Sequence, residues 1–255
     1  MSNQSNKFKI LCLIPARGGS KSIPRKNIIE LLGKPLIAWS IQHGLESNYV
    51  NRVIVSTDDE EIANISIAHG AEAPFLRPAD LATDTSLDIE AFFHALSWLK
   101  ENENYEPDLV VHLRPTGPSR RVQLIDNAIE SILSDQEADS LRSVSVAHQN
   151  PFKMWFMEKN YMSPALTLEG VKDSHSIGRQ MLPIAYWQNG YVDIIRPSTI
   201  LNKKSMVGDK VIPFIIKEAV CDLDYLDDIP KIEALMRNNL NNDESASLNN
   251  ERLPV

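Results

Sequence analysis

Four cationic side chains, Arg17, Lys21, Arg25 and Lys26, fall within ten residues, with Gly18 and Gly19 among them. Fixed cations beside backbone N–H groups that glycine leaves uncovered are the ingredients of a polyphosphate cradle. Arg17, Lys21 and Lys26 can balance several phosphate charges. Neither Gly-x-x-x-x-Gly-Lys-Ser/Thr nor Gly-x-Gly-x-x-Gly occurs, so a Walker loop and a dinucleotide fingerprint are both excluded. A solvated basic surface loop has the same composition. Far along the chain, Asp222 and Asp224 alternate with Cys221 and Leu223. On a strand both carboxylates share one face. They repel each other unless a cation lies between them, and Mg²⁺ takes one or two carboxylates together with phosphate oxygens and water. Alone, the pair is equally a polar strand end. The distal cationic loop is what favours the metal, provided the fold brings the two together.

These residues need a frame to hold them. Residues 10–14, Ile-Leu-Cys-Leu-Ile, are a continuous apolar run, as in a strand buried on both faces. Ligands of open α/β sheets bind at the carboxyl ends of such strands. Pro35 opens a helical pattern with Ile37, Ile41 and Leu45. A second strand fits 53–55, with Thr57 or Asp58 capping a helix that ends near Gly70. The pattern then predicts a short strand over 73–76, a helix over 87–100, a strand over 109–113, a helix over 122–133 and a strand over 141–146. Such alternation predicts an α/β fold, a mostly parallel sheet flanked by helices. Residues 150–183 break the rhythm and read as an insertion or arm. Strand character returns over 191–195 and 211–216, and the last helix fits 229–236. From Asn238 the chain is rich in Asn, Asp, Glu and Ser and reads as a frayed tail.

The 255 residues suit one domain, and 43% apolar content supplies a sizeable core. A formal charge of −8 argues against a general nucleic-acid binder but permits a small anionic substrate. Cys12 and Cys221 lie in apolar runs and read as buried small hydrophobes; no Cys-x-x-Cys supports zinc or dithiol chemistry. No stretch approaches a membrane span, and residues 1–9 are polar with no leader-like apolar region, so the cytoplasm is the expected compartment. The six histidines form no His-x-x-x-His pair; His112, inside an apolar strand, reads as a satisfied core residue.

The run Ile14-Pro15-Ala16-Arg17-Gly18-Gly19-Ser20-Lys21-Ser22-Ile23-Pro24-Arg25-Lys26-Asn27, followed by Leu32-Gly33-Lys34-Pro35-Leu36, resembles the opening signature of the acylneuraminate cytidylyltransferase family. That family includes the CMP-sialic, CMP-legionaminic and CMP-pseudaminic acid synthetases. The likeness covers about 10–236. Val55-Ser56-Thr57-Asp58 resembles the family's second-strand ending, and residues 77–86 resemble its nucleotide-contacting segment. Leu113-Arg114-Pro115-Thr116-Gly117-Pro118-Ser119-Arg120 resembles its Gln-Pro-Thr-Ser-Pro-Leu-Arg stretch, and residues 219–228 its Ile-Asp-Ile-Asp-Thr-Glu-x-Asp.

This resemblance implies a Rossmann-like nucleotidyltransferase fold with a dimerisation arm. One cytidylyltransferase domain would occupy 8–237, with a dimerisation and sugar-binding insertion at about 150–210 and a flexible tail over 238–255. Arg17, Lys21, Asp222 and Asp224 are the implied catalytic residues. Asp222 and Asp224 would hold Mg²⁺, with Mn²⁺ able to substitute. The nucleotide would contact Ala16, Arg17, Gly18, Gly19, Ser20, Lys21, Lys26, Asn27, Arg77 and Thr85. The sugar would contact Arg114, Pro115, Thr116, Lys153, Arg179 and Asn189, with Trp187 close by. Arg114 replaces the Gln of the sialic-acid enzymes and can grip a carboxylate with two prongs, which points away from N-acetylneuraminate itself. Ser205-Met206-Val207-Gly208 stands where the family often has aromatics, so the acyl pocket should differ. The implied partners are CTP and an acidic nine-carbon sugar, acting in a homodimer, without nucleic acid or membrane. The anomeric hydroxyl would attack the α-phosphorus, with Asp224 a candidate proton acceptor; pyrophosphate would leave and CMP-sugar would form, for surface glycan synthesis. Another sugar nucleotidyltransferase, such as a CMP-Kdo synthetase or NDP-hexose pyrophosphorylase, is the nearest alternative, and a non-catalytic nucleotide-sugar-binding protein is a further one.

Overall fold

The computed structural model describes residues 7–250, with side chains through Asn239. Residues 1–6, which carry most of the polar opening behind the no-leader expectation, and residues 251–255 lie outside the described residues. In chain order the elements are β1 (Ile10–Pro15), β2 (Glu30–Leu31), β3 (Lys34–Pro35), α1 (Leu36–Glu46), β4 (Arg52–Ser56), α2 (Glu60–Ala68), α3 (Asp88–Glu103), β5 (Leu109–His112) and α4 (Val122–Ser134). Then come β6 (Ser140–Val146), β7 (Trp155–Glu158), β8 (Tyr161–Pro164), β9 (Tyr186–Ile195), α5 (Pro197–Leu201), β10 (Val211–Ile215) and α6 (Ile229–Asn250).

The main sheet runs β10-β6-β9-β5-β1-β4. β1 pairs in parallel with β4 and β5, and β10 with β6, while β9 is antiparallel to both its neighbours. Side-chain alternation explains the apolar run of β1. Ile10, Cys12 and Ile14 pack with Ile37 and Ile41 of α1, Ile62 of α2 and Ile125 of α4. Leu11 and Leu13 pack on the other face with Phe92, Leu96 and Leu99 of α3 and Ile200 of α5. With helices on both faces, no residue of β1 needs to be polar. The chain passes from β1 to β4 on one side and then to β5 on the other. The loops leaving β1 and β5 therefore part over β1, which is where open α/β sheets hold ligands.

A smaller third cluster gathers Ile23 and Leu31 from the segment after β1, Leu36 and Trp39 from α1, Cys221 and Leu223, and Ile232 and Met236 from α6. Burying each large side chain of this kind contributes about 1.5–3 kcal/mol. This cluster fastens the cationic loop to the acidic segment.

The structure departs from the sequence reading in several places. The strand expected over 73–76 reduces to a single bridge between Ile54 and Glu72; Pro74 and Pro78 cannot donate to a ladder. The cap of α2 is Asp59, which accepts from the Ile62 N–H at 3.0 Å, one residue beyond the expected position. Residues 221–224 form no strand. Their N–H groups go elsewhere: Cys221 donates to the Tyr191 hydroxyl at 2.8 Å and Leu223 to the Thr116 carbonyl at 2.9 Å. The insertion expected at 150–210 divides in two. The β7–β8 hairpin stands apart from the main sheet, whereas β9 is one of that sheet's central strands. α6 continues past the expected 236 to Asn250, through most of the segment read as a tail. No helix among the described residues is long and apolar enough to cross a membrane.

Candidate active site

The cationic loop is organised by the start of α2. The Gly18 N–H donates to Asp58 Oδ1 at 3.0 Å. A Cβ at Gly18 would stand 2.8 Å from Asp59 Oδ2, so this glycine is required for packing against the protein's own helix end. Gly19 faces open space. Ala16 is buried in the core, its N–H donating to the Ser56 carbonyl at 3.0 Å. Arg25, in the left-handed region at φ 57°, is paired with Asp59 and Glu61. That leaves Arg17, Lys21 and Lys26 of the four cations. Asn27 Nδ2 donates to the Arg17 carbonyl at 2.9 Å and holds the loop closed.

Arg17, Lys21, Lys26 and Asn27 line a cavity of about 410 Å³, with Ser20, Arg77, Ser86, Arg114 and Thr116 also in its wall, whereas Ala16, Gly18 and Gly19 are not in it. Arg77 is buried, which lowers its pKa, and its donors already meet Ser56 and the Leu81 carbonyl. It locks the 77–81 loop to the end of β4. Thr85 is exposed and lies 3.3 Å from Thr83 Oγ1; its neighbour Ser86 is the residue in the wall.

Asp84, which the sequence reading passed over, pairs with both Lys21 and, at 3.3 Å, Arg17. The bond from Lys21 lowers its pKa. Its carboxylate thus occupies the charges that a phosphate chain would need. Asp84→Asn is expected to lower the KM for a triphosphate substrate held by these cations about two- to fivefold, since a weak exposed ion pair no longer competes. Steady-state kinetics checks this, and a raised KM would contradict it.

Lys26 joins the two halves. Its ammonium donates to the Leu223 carbonyl at 2.9 Å and lies 3.7 Å from Asp224 Oδ1. Lys26 is in the wall of the first cavity, while Asp222 and Asp224 line a second one of about 920 Å³ with His148, Trp187 and Lys231. So the acidic pair meets the loop through Lys26, and Lys21 is engaged with Asp84. Asp222 Oδ1 is buried without a partner. Burial raises the Asp222 pKa to about 6; Arg120 opposes that rise and Asp224 adds to it. An unpartnered buried carboxylate oxygen beside a second carboxylate fits a hard divalent cation. Among the described residues no group of three or more His, Cys, Asp or Glu could hold a metal. The pair would therefore share the ion with substrate oxygens and water.

Arg120 closes the stretch that begins at Leu113, yet nothing in its spacing marked it. It is 2% exposed and has no carboxylate partner among the described residues. It donates to the Tyr191 and Arg114 carbonyls and to Ser40, and burial lowers its pKa to about 10. Arg114 donates to Asp193 Oδ2 at 2.7 Å and to the Gly190 carbonyl at 3.3 Å. Pro115 and Thr116 sit beside it in the cavity wall. Three residues expected at the sugar are placed outside both cavities. Lys153 donates to the His175 and Ile177 carbonyls at 3.0 and 2.7 Å, within the arm. Arg179 is exposed on a short 3₁₀ turn. Asn189 is buried, bonded to Ser145 and the Tyr191 N–H. His112 is fully buried as expected, but neither ring nitrogen has a partner.

The family model described as Cytidylyltransferase matches residues 11–174 of this chain. The chain belongs to the cytidylyltransferase family. This cytidylyltransferase is 34% identical over 242 residues to a pseudaminic acid cytidylyltransferase of Campylobacter jejuni, covering 91% of this chain and 98% of that one. It is 34% identical over 235 residues to a CMP-N,N'-diacetyllegionaminic acid synthase of Legionella pneumophila, again covering 91% and 98%. An N-acylneuraminate cytidylyltransferase of Escherichia coli is 31% identical over 217 residues, which is 85% of this chain and 49% of that protein. Among solved structures, a CMP:2-keto-3-deoxy-manno-octonic acid synthetase complexed with CTP superposes with a TM-score of 0.68 at 17% identity, over 90% of this chain and 99% of that one. That likeness concerns the fold. The cytidylyltransferase is thus a nucleotidyltransferase enzyme whose expected Rossmann-like sheet is present.

Proposed function

We propose that the chain transfers CMP from CTP to the anomeric hydroxyl of a sialic-acid-like nonulosonic acid in the cytoplasm, releasing pyrophosphate, for surface glycan synthesis. The observation that carries this reading is the Lys26 bridge, which sets the cationic loop and the Asp222–Asp224 pair edge to edge. Three relatives act, by name, on pseudaminic, N,N'-diacetyllegionaminic and N-acylneuraminic acids.

In this reading Arg17, Lys21 and Lys26 neutralise the phosphates, and Ser20 and the Gly19 N–H lie along them. Asp222 and Asp224 would hold Mg²⁺ or Mn²⁺, which supplies charge neutralisation at the phosphates when bound. Arg114 pairs with the sugar carboxylate from the wall of the first cavity. The sugar hydroxyl forms the new O–P bond, the bond to pyrophosphate breaks, and the proton passes to a base such as Asp224. Positioning and charge neutralisation carry phosphoryl-type transfer, so no covalent intermediate is needed. A pyrophosphate-release assay across four nucleoside triphosphates and several acidic sugars tests the assignment. Turnover with a hexose 1-phosphate, whose sugar carries no carboxylate, and none with an acidic sugar and CTP, would refute it.

The arm supports a homodimer. Phe156, Met157, Tyr161 and Met162 are 63%, 77%, 82% and 59% exposed on a two-stranded hairpin. Such a hairpin is marginal in water, and it exposes apolar side chains on both faces, Met157 and Met162 on one and Phe156 and Tyr161 on the other, as an interaction surface does. A second copy would cover it and could receive Arg179 from across the interface. The double change Phe156→Glu with Met157→Glu is expected to convert dimer to monomer. Light scattering reads the mass, and an unchanged mass would remove this part of the proposal.

A further inference from the structure

β5, β9 and β6 lie side by side, and their register sets three polar residues in one row across the sheet: His112 opposite Asp193, and Asp193 opposite Arg142. Residues directly opposite on one face have Cβ atoms about 4.5–5.5 Å apart. The row lies on the face shared with Leu13 and α3, beneath Arg114. Asp193 is 0% exposed. Its Oδ2 accepts from Arg114 at 2.7 Å, from Arg142 at 2.6 Å and from Gln188 Nε2 at 3.1 Å. Nine buried side-chain polar atoms among the described residues lack a partner, and four belong to this row: both nitrogens of His112, Arg142 Nε and Asp193 Oδ1. Such groups are individually unfavourable, so their concentration under one arginine calls for a role other than stability. A buried ion pair is in any case weak evidence for stability.

The charge balance points the same way. Two guanidiniums meet one carboxylate, and burial together with Arg114, Arg142 and Arg120 pushes the His112 pKa well below its ordinary range, which keeps it neutral. The row with Arg114 therefore carries one positive charge beyond what Asp193 balances, and at the cavity wall it faces only the exposed Asp88 carboxylate. Arg114 is otherwise loosely held, with only a 3.6 Å approach of its NH2 to exposed Asp88 and a 3.3 Å bond to the Gly190 carbonyl. A guanidinium tied at one corner has its plane fixed, and its remaining edge is set to take a carboxylate with two parallel bonds.

We propose that Asp193, braced by Arg142 and Gln188, is a positioning residue for substrate choice: it fixes the plane of Arg114 so that its free edge meets the carboxylate of the acidic sugar. This rests on the reading of Arg114 given under the proposed function. Arg142 also donates to the Met206 carbonyl. The row is thereby tied to the 205–208 turn.

The test uses Arg114→Gln, Asp193→Asn, and a charge-balanced double variant, Asp193→Asn with Arg142→Gln, in case the single Asp193 change fails to fold. The probe is whichever of pseudaminic, N,N'-diacetyllegionaminic and N-acylneuraminic acids turns over fastest. Each Asp193 variant that folds is expected to raise the sugar KM about tenfold, with the CTP KM within about twofold of the parent and CTP affinity by calorimetry unchanged. Adding Arg114→Gln to the double variant is expected to cost no more than Arg114→Gln alone, because residues acting through one another are not additive. Equal rises in both KM values with a lowered Tm would mark a merely structural role and overturn the inference. So would an unchanged sugar KM in the double variant while Arg114→Gln raises it, and that outcome leaves the Arg114 reading standing. If Arg114→Gln itself leaves the sugar KM unchanged, the underlying reading fails and the inference with it.

Discussion

Asp222→Ala is expected to lower kcat at saturating CTP and Mg²⁺ by about 10²–10³-fold or more, with circular dichroism and CTP binding close to the parent. The magnitude follows from removing one preorganised charge in a partly desolvated transfer site. The fold should survive because Asp222 makes no side-chain hydrogen bond that organises the segment; Leu223 and Cys221 anchor it instead. The group also carries a pH signature. Burial raises the Asp222 pKa from 3.8 to about 6. The folded chain thus binds this proton more tightly than the unfolded chain, so the group's contribution to stability falls as pH rises from about 4 to about 6. A divalent cation pairs with the ionised form and reverses that loss. Mg²⁺ should therefore raise Tm more at pH 7.5 than at pH 5 in the parent, and the difference should vanish in Asp222→Ala. Full turnover in that variant would end the metal assignment.

Lys26→Ala is expected to lower kcat/KM by about 10²-fold, divided between a higher CTP KM and a lower kcat. Two functions are removed together. One is a cation that faces the phosphates, and the other is the bond to the Leu223 carbonyl that seats the acidic segment. Lys26→Arg should recover part of the first and little of the second, because a planar fork cannot reproduce a point charge at 2.9 Å from that carbonyl. A kinetic comparison of the two variants at several Mg²⁺ concentrations separates the functions: loss of seating raises the Mg²⁺ requirement, while loss of charge does not. If Lys26→Ala retains the parent kcat/KM, the bridge has no part in turnover.

How much of this the sequence disclosed depends on the range of the interactions. β1, α1, β4, α3, β5, α4 and β6 were legible within a residue or three, because burial on one or both faces leaves periodic apolar patterns. Residues 73–76 were misread as a strand although Pro74 lies inside the run and Pro78 just beyond it. The Asp222 segment was misread as a strand because alternation is also what a loop shows when two of its residues plug a core. The two halves of the site were legible as residue types, since clustered cations and paired carboxylates are locally conspicuous. Their connection was not. Lys26 rather than Lys21 makes it, and Asp84 and Arg25 redistribute the loop's charges through contacts that no spacing encodes. Asp193 and Arg142 sit in ordinary strand contexts, and only the register of β9 against its neighbours brings them under Arg114.

The small apolar cluster that unites Ile23, Leu31, Leu223, Ile232 and Met236 has a consequence for the chain's energetics. The last helix, the phosphate-facing loop and the carboxylate pair lean on the same few side chains, so none can loosen independently of the others. A ligand that steadies the loop also damps the opening of α6, and amide exchange along the inner face of that helix becomes a gauge of occupancy in the first cavity, which it does not line. A cavity cut at Met236 would be felt as weakened affinity for the nucleotide before it was felt as unfolding.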